Sequence, residues 1–363
     1  MIYLLLAAGV FMGWSLGTND AANAFGTAVA TRVVKYRTAV TIIATLVIIG
    51  AFIAGDANIT KVAELSESNK VTASLEDVEN AIAGGTLADL RLKSALKAFI
   101  IFACAGITVF IMSYLKFPVS ANQSITGAII GWGLFHANYK DPEVLAINLP
   151  QIGKFASTWL LNPLGAAIIS FALVFVVSRF IEKRLTSLAG YDKIIKIGYL
   201  VAGAFASYSI GQNSSANVTA LYYDPTNSGA NLLCDIQIGS FTFSGAQVAA
   251  TVGGIAIALG VLTYSKKVMM TVGSSIAELT QIEGFVVIIA MALTVVIMGE
   301  WMAIPVSTSQ AVVGAVIGAG LVKGVKNVNF GVFKNIAIAW ISSPTVAGLL
   351  TYLVALATQS YFA

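Results

Sequence analysis

Long apolar runs recur along this chain, and they limit the folds that it can adopt more than any other feature. Five of them, each 17 to 23 residues long, lie at 38–54, 95–115, 156–178, 247–264 and 335–357. An α-helix needs about 17 to 25 mainly apolar residues to cross a bilayer. Charged residues make up only 10% of the chain, whereas soluble domains average about 25%. The chain is therefore predicted to be an all-α polytopic membrane protein.

Short motifs occur twice in the same order, which indicates an internal duplication. The segment Gly-x-Asn-Asp-x-x-Asn at 17–23 returns as Gly-x-Asn-Ser-x-x-Asn at 211–217. Two further pairs follow: Pro118-Val-Ser120 with Pro305-Val-Ser307, and Trp159 and Pro163 with Trp340 and Pro344. Self-similarity of this kind marks a repeated structural unit. We therefore predict one repeat over 1–190 and a second over 191–363.

Each repeat is predicted to contain five membrane segments, and this odd number inverts the second repeat relative to the first. The segments are 2–31, 38–54, 95–115, 117–135 and 156–178, then 194–223, 244–264, 285–301, 303–321 and 333–357. Broken helices or re-entrant segments bring the total to about 10 to 12. The polar stretch at 55–94 has no counterpart in the second repeat and is predicted to be amphipathic structure outside the membrane.

The distribution of basic residues predicts the orientation of the chain. Loops on the cytoplasmic side are enriched in Lys and Arg. Placing both termini outside puts 14 of the 21 basic residues on the inside. We therefore expect both termini to face outward.

Polar residues within the first segment of each repeat are candidates for a binding site. Polar side chains in a membrane segment are costly and are usually functional. Asn19 and Asn23 are four residues apart, so a helix places them on one face with Asp20 beside them. The neighbouring Gly17 favours a broken helix. The counterparts in the second repeat are Asn213, Ser214 and Asn217. Such a face offers oxygen atoms, which are the ligands that hard cations such as Na⁺ need.

The two Pro-Val-Ser segments favour helices that begin inside the membrane. Pro is tolerated in the first helical turn, and Ser or Thr caps the free N–H groups there. The positive end of a helix dipole binds anions. Two such helix starts, related by a pseudo-twofold axis, would converge on one anion near the midplane. The available hydroxyl groups are those of Ser120, Ser124, Ser307, Thr308 and Ser309. Serine and threonine in membrane helices also often bond only to the backbone.

Several other residues have structural interpretations. The glycine-rich runs at 127–133 and 314–320 are expected to allow close helix packing. Trp159 and Trp340 are expected at the membrane interface or in packing. Gln123 and Gln310 could face a cation or an anion, because an amide both accepts and donates hydrogen bonds.

Charged and reactive residues do not indicate an enzyme. Glu278, Glu283 and Glu300 lie at the edges of predicted segments and are interpreted as water-facing or snorkelling, with a role in binding the coupling ion as the alternative. His136, the single histidine, is assigned to a loop. We find no paired carboxylates, histidine cluster or Ser/His arrangement within the membrane, no metal spacing of cysteines, and no basic stripe that nucleic acid would need.

The repeated motifs resemble those of the PiT family of inorganic phosphate transporters. The resemblance rests on 17–27 and 118–127, repeated as 211–217 and 305–314, and it covers nearly the whole chain. It implies inverted repeats, both termini outside, a homodimer in the plasma membrane, and phosphate transport coupled to Na⁺, or to H⁺ in some members. No cofactor is implied beyond Na⁺ as the coupling ion.

The resemblance also implies which residues bind the two substrates. The phosphate set is Asp20, Ser120, Ala121, Asn122, Ser124, Asn213, Ser214, Ser307, Thr308 and Ser309. The Na⁺ set is Asn19, Asp20, Asn23, Gln123, Asn213, Asn217 and Gln310. The chain departs from the family pattern in two places. Ser214 stands where members often have a second Asp, and Ala121 and Asn122 replace the expected Ser or Thr.

Charge balance gives an independent reason for cation coupling. Phosphate carries about −1.5 to −2 charges at neutral pH, and the motifs contain no Lys or Arg. Bound Na⁺ would neutralise the anion and couple the two binding events during alternating access. Asp20 could also accept a hydrogen bond from the P–OH group of hydrogen phosphate, which sulfate lacks. The alternatives are an H⁺-coupled phosphate carrier, a sulfate or other oxyanion carrier of the same fold, and an anion channel.

Overall fold

A computed structural model describes residues 2–56, 59, 75–139, 149–181, 188–223, 232–301 and 306–362. Among these residues, the first half contains the α-helices α1 (Leu6–Ala30), α2 (Tyr36–Ala54), α3 (Leu75–Ala83), α4 (Leu87–Tyr114), α5 (Ala121–Tyr139) and α6 (Leu149–Val176). The second half contains α7 (Leu188–Ser214), α8 (Ala216–Thr219), α9 (Gly245–Tyr264), α10 (Lys266–Met270), α11 (Gln281–Val295), α12 (Thr308–Val322) and α13 (Phe330–Ala357). A short hairpin pairs β1 (Ile236–Ile238) with β2 (Phe241–Phe243).

The all-α membrane fold predicted from the apolar runs is confirmed. Seven helical stretches of the described chain are long and apolar enough to cross a bilayer, and α12 is a shorter apolar helix. The protein is therefore an integral membrane protein. Large apolar side chains such as Leu160 and Ile341, each 72% exposed, lie on the outside of the helix bundle, where lipid would cover them.

Helices that the repeats predict to be equivalent pack against equivalent partners. Helix α5 lies along α13, and the equivalent helix α12 lies along α6. In the same way, α1 lies along α9, and the equivalent helix α7 lies along α2. Glycines sit at these crossings: a Cβ on Gly127 would overlap the backbone of Pro344, and one on Gly314 would overlap that of Pro163. The prediction that the glycine-rich runs allow close helix packing is confirmed.

The prediction of a broken helix is wrong for the first repeat and confirmed for the second. Helix α1 runs without interruption through Asn19, Asp20 and Asn23. Gly17 does not break it but allows contact with helix α9, because a Cβ there would overlap the carbonyl oxygen of Ile257. In the second repeat, α7 ends at Ser214 and α8 begins two residues later.

Other boundaries differ from those predicted. The stretch at 55–94 is not all outside the helical bundle, since α4 already begins at Leu87 and continues into the segment predicted at 95–115. Within that stretch 57–58 and 60–74 lie outside the described residues, as do 302–305, which include Pro305. His136 lies in helix α5, not in a loop. The division of the chain at residue 190 stays a prediction.

Candidate functional site

Four chain segments bring the predicted site residues together. They are the middle of α1, the break between α7 and α8, and the N-termini of α5 and α12. Hydrogen bonds from α1 reach both α7 and α12, and one from α8 reaches α5. The site therefore draws on segments from both halves of the chain.

Asp20 is the carboxylate at the centre of this arrangement. Its side chain is buried, with a residue exposure of 4%. Its Oδ1 accepts a hydrogen bond from the Ser309 hydroxyl at 3.1 Å and lies 3.2 Å from the amide nitrogen of Asn23. Its Oδ2 accepts one from the Ser214 hydroxyl at 3.3 Å. Asp20 thus connects the first repeat to both polar motifs of the second.

Asn23 and Asn217 make matching contacts across the two repeats. The amide nitrogen of Asn23 lies 3.0 Å from the hydroxyl oxygens of Thr308 and of Ser309, in the first turn of α12. Asn217 donates to the side-chain oxygen of Asn122, in the first turn of α5. Each asparagine therefore reaches the helix start of the other repeat.

Asn19 serves the structure around the first helix start. Its amide nitrogen lies 3.0 Å from both the Ser113 hydroxyl and the carbonyl oxygen of Phe117. Its side-chain oxygen accepts from the backbone N–H of Val119 at 3.0 Å. These contacts hold the segment that leads into α5. Its counterpart Asn213 lies in the last turn of α7, directly before the helix break.

The predicted capping of the two helix starts is observed in both repeats. The Ser120 hydroxyl accepts from the backbone N–H of Gln123 at 3.3 Å. The Ser307 hydroxyl accepts from the backbone N–H of Gln310, also at 3.3 Å. Each serine satisfies one N–H group of a helix N-terminus.

The first turns of α5 and α12 also meet directly. The amide nitrogen of Asn122 donates to the carbonyl oxygen of Val306, just before α12, at 3.2 Å. Ala121, which begins α5, is buried. The Ser124 hydroxyl lies 3.5 Å from the Ser120 carbonyl oxygen, so its contact in this structure is with its own helix. One side-chain hydrogen bond therefore links the two helix starts.

Buried amide atoms without partners are concentrated at this site. Asn23 Oδ1, Gln123 Oε1 and both polar atoms of the Gln310 amide have no hydrogen-bond partner among the residues that the structure describes. All three residues are at most 1% exposed. A buried polar atom that forms no hydrogen bond costs about 1 to 3 kcal/mol. At this site, beside the helix starts and the Asp20 carboxylate, these atoms are candidates for contact with a ligand.

Sequence reasoning missed two residues that hold the helix starts. Asn162 in α6 donates to the carbonyl oxygen of Ser307 at 2.7 Å. Trp340 in α13, interpreted from the sequence as an interfacial or packing residue, donates its indole N–H to the carbonyl oxygen of Pro118 at 3.0 Å. Both belong to the third repeated pair of motifs, and an asparagine within an apolar segment is the signal that could have identified Asn162.

The chemistry of the site suits a small anion and a hard monovalent cation. The hydrogen bonds described above come from amides, hydroxyls, backbone groups and one carboxylate, and none involves Lys or Arg. Over the described ranges, no group of three or more His, Cys, Asp or Glu side chains could hold a metal ion.

Comparison with known proteins identifies the family. The sequence model of the phosphate transporter family matches residues 16–351, a range that includes every motif described above. The chain belongs to the phosphate transporter family. The resemblance inferred from the repeated motifs is thereby confirmed, and phosphate transport is the activity that this membership supports. Membership of a transporter family also supports a function other than catalysis.

Relatives in this phosphate transporter family are similar over nearly the full length of this chain. A proposed phosphate permease of Pyrococcus abyssi is 28% identical, with 97% of this chain and 96% of the relative covered. A similar protein of Methanocaldococcus jannaschii is also 28% identical, with 97% and 96% covered. A chloroplast inorganic phosphate transporter of Arabidopsis thaliana is 24% identical over 96% of this chain and 70% of its own length.

A solved structure has the same fold. The sodium-dependent phosphate transporter aligns with a TM-score of 0.70 at 22% identity, covering 99% of this chain and 98% of that one. At this identity the match demonstrates that the two chains share one membrane fold over nearly their whole length.

Proposed function

We propose that this protein carries inorganic phosphate together with Na⁺ across the membrane by alternating access. The observation that carries the proposal is a buried site with one carboxylate, two adjoining helix N-termini and amide oxygens without hydrogen-bond partners. The solved structure with the same fold is of a sodium-dependent phosphate transporter, which agrees with this coupling ion.

The two helix starts are proposed to bind the phosphate. Backbone N–H groups at the first turn of a helix, together with the dipole, favour an anion. The first turns of α5 and α12 supply such groups from both repeats, and Thr308, Ser309 and Asn122 add side-chain donors. In the present structure Ser309 donates to Asp20 and Asn122 donates to Val306, while the Thr308 hydroxyl accepts a hydrogen bond from Asn23. Phosphate binding would replace these internal hydrogen bonds with bonds to its own oxygens.

Na⁺ is proposed to balance the charge. A phosphate of about −1.5 to −2 charges beside the Asp20 carboxylate would place about three negative charges in a buried site. Burying unpaired charge is strongly unfavourable, and no basic side chain contributes to the hydrogen bonds of the site. Oxygen atoms of Asn23, Gln123 and Gln310, which have no hydrogen-bond partner among the described residues, would coordinate the cation. Phosphate and Na⁺ would therefore bind more tightly together than separately.

Alternating access is proposed to follow from the repeat architecture. Equivalent helix pairs in the two repeats make equivalent contacts, as expected for an inverted duplication. A site between such repeats can open to each side in turn when one pairing rearranges relative to the other. We place this site near the membrane midplane.

Cellular placement is proposed on separate grounds. The inward bias of basic residues supports both termini outside the membrane. A plasma-membrane location and a homodimer are carried over from the resemblance to the family.

Uptake of radiolabelled phosphate into proteoliposomes tests the proposal. Purified protein would be assayed with an inward Na⁺ gradient, an inward H⁺ gradient, or neither, with sulfate as the competitor. We expect accumulation that requires the Na⁺ gradient and resists sulfate. Accumulation driven only by H⁺ would overturn Na⁺ coupling, inhibition by sulfate would overturn the substrate selectivity, and equilibration without accumulation would indicate a channel.

A further inference from the structure

Asn162 lies outside the motifs that define the site but ends against one of its helix starts. Its side chain is buried, with 1% exposure. Its amide nitrogen donates to the Ser307 carbonyl oxygen at 2.7 Å. Its amide oxygen, Oδ1, has no hydrogen-bond partner in the part of the chain that is described. One end of this amide is thus held in place while the other presents an unused oxygen.

Further oxygens without a hydrogen-bond partner in the described residues belong to side chains that form or contact the first turn of α12. Ser307 caps this helix, and the amide oxygen of Gln310, one turn on, has no partner in the described ranges. The same holds for Oδ1 of Asn23, whose amide nitrogen is held by Thr308 and Ser309. The Asp20 carboxylate contacts the same turn through the Ser309 hydroxyl. Three neutral oxygens and the carboxylate therefore adjoin this turn.

The equivalent region at α5 is poorer in such oxygens. The counterpart of Asn162 is Ser343, whose hydroxyl lies 3.4 Å from the backbone oxygen of Trp340. The counterpart of Ser309 is Asn122, whose side-chain oxygen accepts from Asn217. The counterpart of Asp20 is Ser214, which has no charge and donates to Asp20. Gln123 Oε1 remains as a buried amide oxygen without a described partner.

We propose that the two halves of the site bind cations unequally, and that Asn162 Oδ1 is a ligand of the more tightly held Na⁺, at the start of α12. This inference rests on the proposed Na⁺ coupling. A hard cation is bound by oxygen ligands, and a nearby carboxylate strengthens its binding. Both features occur at α12, whereas near α5 serines at positions 214 and 343 stand in place of the carboxylate and of the asparagine amide.

A purely structural role for Asn162 would give different results from a ligand role. As a tether, it would act through the hydrogen bond from its nitrogen to Ser307. Asn162→Asp keeps an oxygen at the Oδ1 position but replaces this nitrogen with a second oxygen that would repel the Ser307 carbonyl. If Asn162 were only a tether, Asn162→Asp would break the hydrogen bond to Ser307 as fully as Asn162→Ala does. If Asn162 is a Na⁺ ligand, Asn162→Asp would keep the ligand oxygen and add a negative charge to it.

The test measures Na⁺ affinity separately from phosphate affinity in the full-length protein. Asn162→Ala, Asn162→Asp and the matched control Ser343→Ala would be assayed for half-saturating Na⁺ at saturating phosphate, and for the phosphate KM at saturating Na⁺. Melting temperature in detergent, with NaCl against choline chloride, reports Na⁺ binding without transport. Asn162→Ser provides a polar replacement if the alanine variant does not fold.

We expect Asn162→Ala to raise half-saturating Na⁺ about tenfold, the effect of losing about 1.4 kcal/mol of binding free energy. We expect its phosphate KM at saturating Na⁺ to stay within about twofold of wild type, since the anion donors remain. Asn162→Asp should bind Na⁺ more tightly than Asn162→Ala or Asn162→Ser, and Ser343→Ala should resemble wild type.

Equal Na⁺ affinity in wild type and Asn162→Ala would overturn the inference, as would equal damage from the alanine and aspartate changes. Equal loss of Na⁺ affinity in Asn162→Ala and Ser343→Ala would also overturn it. The failure of Na⁺ coupling itself would be recognised separately, because wild type would then lack both Na⁺-dependent uptake and stabilisation by NaCl.

Discussion

Asn23 and Asn217 occupy equivalent positions in the two repeats, and each donates a hydrogen bond to the helix start of the other repeat. Asn23 lies 3.0 Å from the Ser309 hydroxyl, and Asn217 donates to the Asn122 side chain. Because of these two hydrogen bonds, the site is formed by residues from both repeats. A change in how the repeats pack would alter both contacts together, which is what an alternating-access site requires.

Replacing the central carboxylate should abolish coupled transport and weaken selectivity. Asn at position 20 would remove the negative charge and could donate a hydrogen bond where Asp20 only accepts. We expect Asp20→Asn to reduce Na⁺-driven phosphate uptake at least tenfold, by about 1.4 kcal/mol or more of lost stabilisation. Sulfate should compete better in the variant, because an amide no longer requires a P–OH donor.

The control for this change is Asp89→Asn, which neutralises an exposed carboxylate paired with Lys93 at 3.7 Å. It should transport phosphate like wild type. Uptake and sulfate competition by a folded Asp20→Asn protein that match wild type would contradict both roles of Asp20.

The indole of Trp340 should stabilise the first helix start. Trp340→Phe removes the N–H group that bonds to the buried Pro118 carbonyl oxygen. Leaving a buried acceptor unsatisfied costs about 1 to 3 kcal/mol, so the melting temperature in detergent should fall. The matched variant Trp14→Phe removes an exposed indole bond to Thr263, whose hydroxyl keeps its own hydrogen bond to the carbonyl oxygen of Leu259. A similar melting temperature for the two variants would argue against the tether.

Glycine at helix crossings should be essential for packing. A Cβ on Gly127 would overlap the Pro344 backbone, so Gly127→Ala forces two helices apart and should lower the melting temperature clearly. Overpacking of this kind costs about 1 to 3 kcal/mol. Gly153→Ala, in helix α6 with open space around its Cα, should be neutral or slightly stabilising, because Ala is the better helix former. Similar melting temperatures for Gly127→Ala and wild type would contradict close packing.

The ion pair between Lys323 and Glu283 should matter more than an exposed pair. Their charged atoms lie 2.7 Å apart, and the Glu283 side chain is only 7% exposed. Lys323→Met would leave the buried carboxylate with only its backbone partner at Thr280. Because the lysine side is partly solvated, we expect a loss of about 1 to 2 kcal/mol. Lys93→Met, which breaks the exposed pair with Asp89, should change the melting temperature little. An equal fall in melting temperature in Lys93→Met and Lys323→Met would contradict a greater contribution from the buried pair.

Glu283 also illustrates what sequence position leaves open. It lies at the edge of an apolar segment, and a water-facing side chain was expected there. The structure buries it, because it caps α11 by accepting from the Thr280 backbone N–H and pairs with Lys323, which directly follows α12. Those partners are 3 and 40 residues away in the sequence. Only packing of the two helices could bring the lysine to it.

The sequence alone determined the membrane fold, the family and the set of residues at the two helix starts. These follow from local signals: apolar length sets a spanning helix, and Pro-Val-Ser sets a capped start. Tertiary structure decided which repeat contains the helix break and which buried oxygens remain unbonded. Gly17 and Gly211 look alike in sequence, yet α1 continues past the first motif and α7 ends within the second. Asn162 joins the site because α6 packs against α12, and such contacts depend on which helices meet.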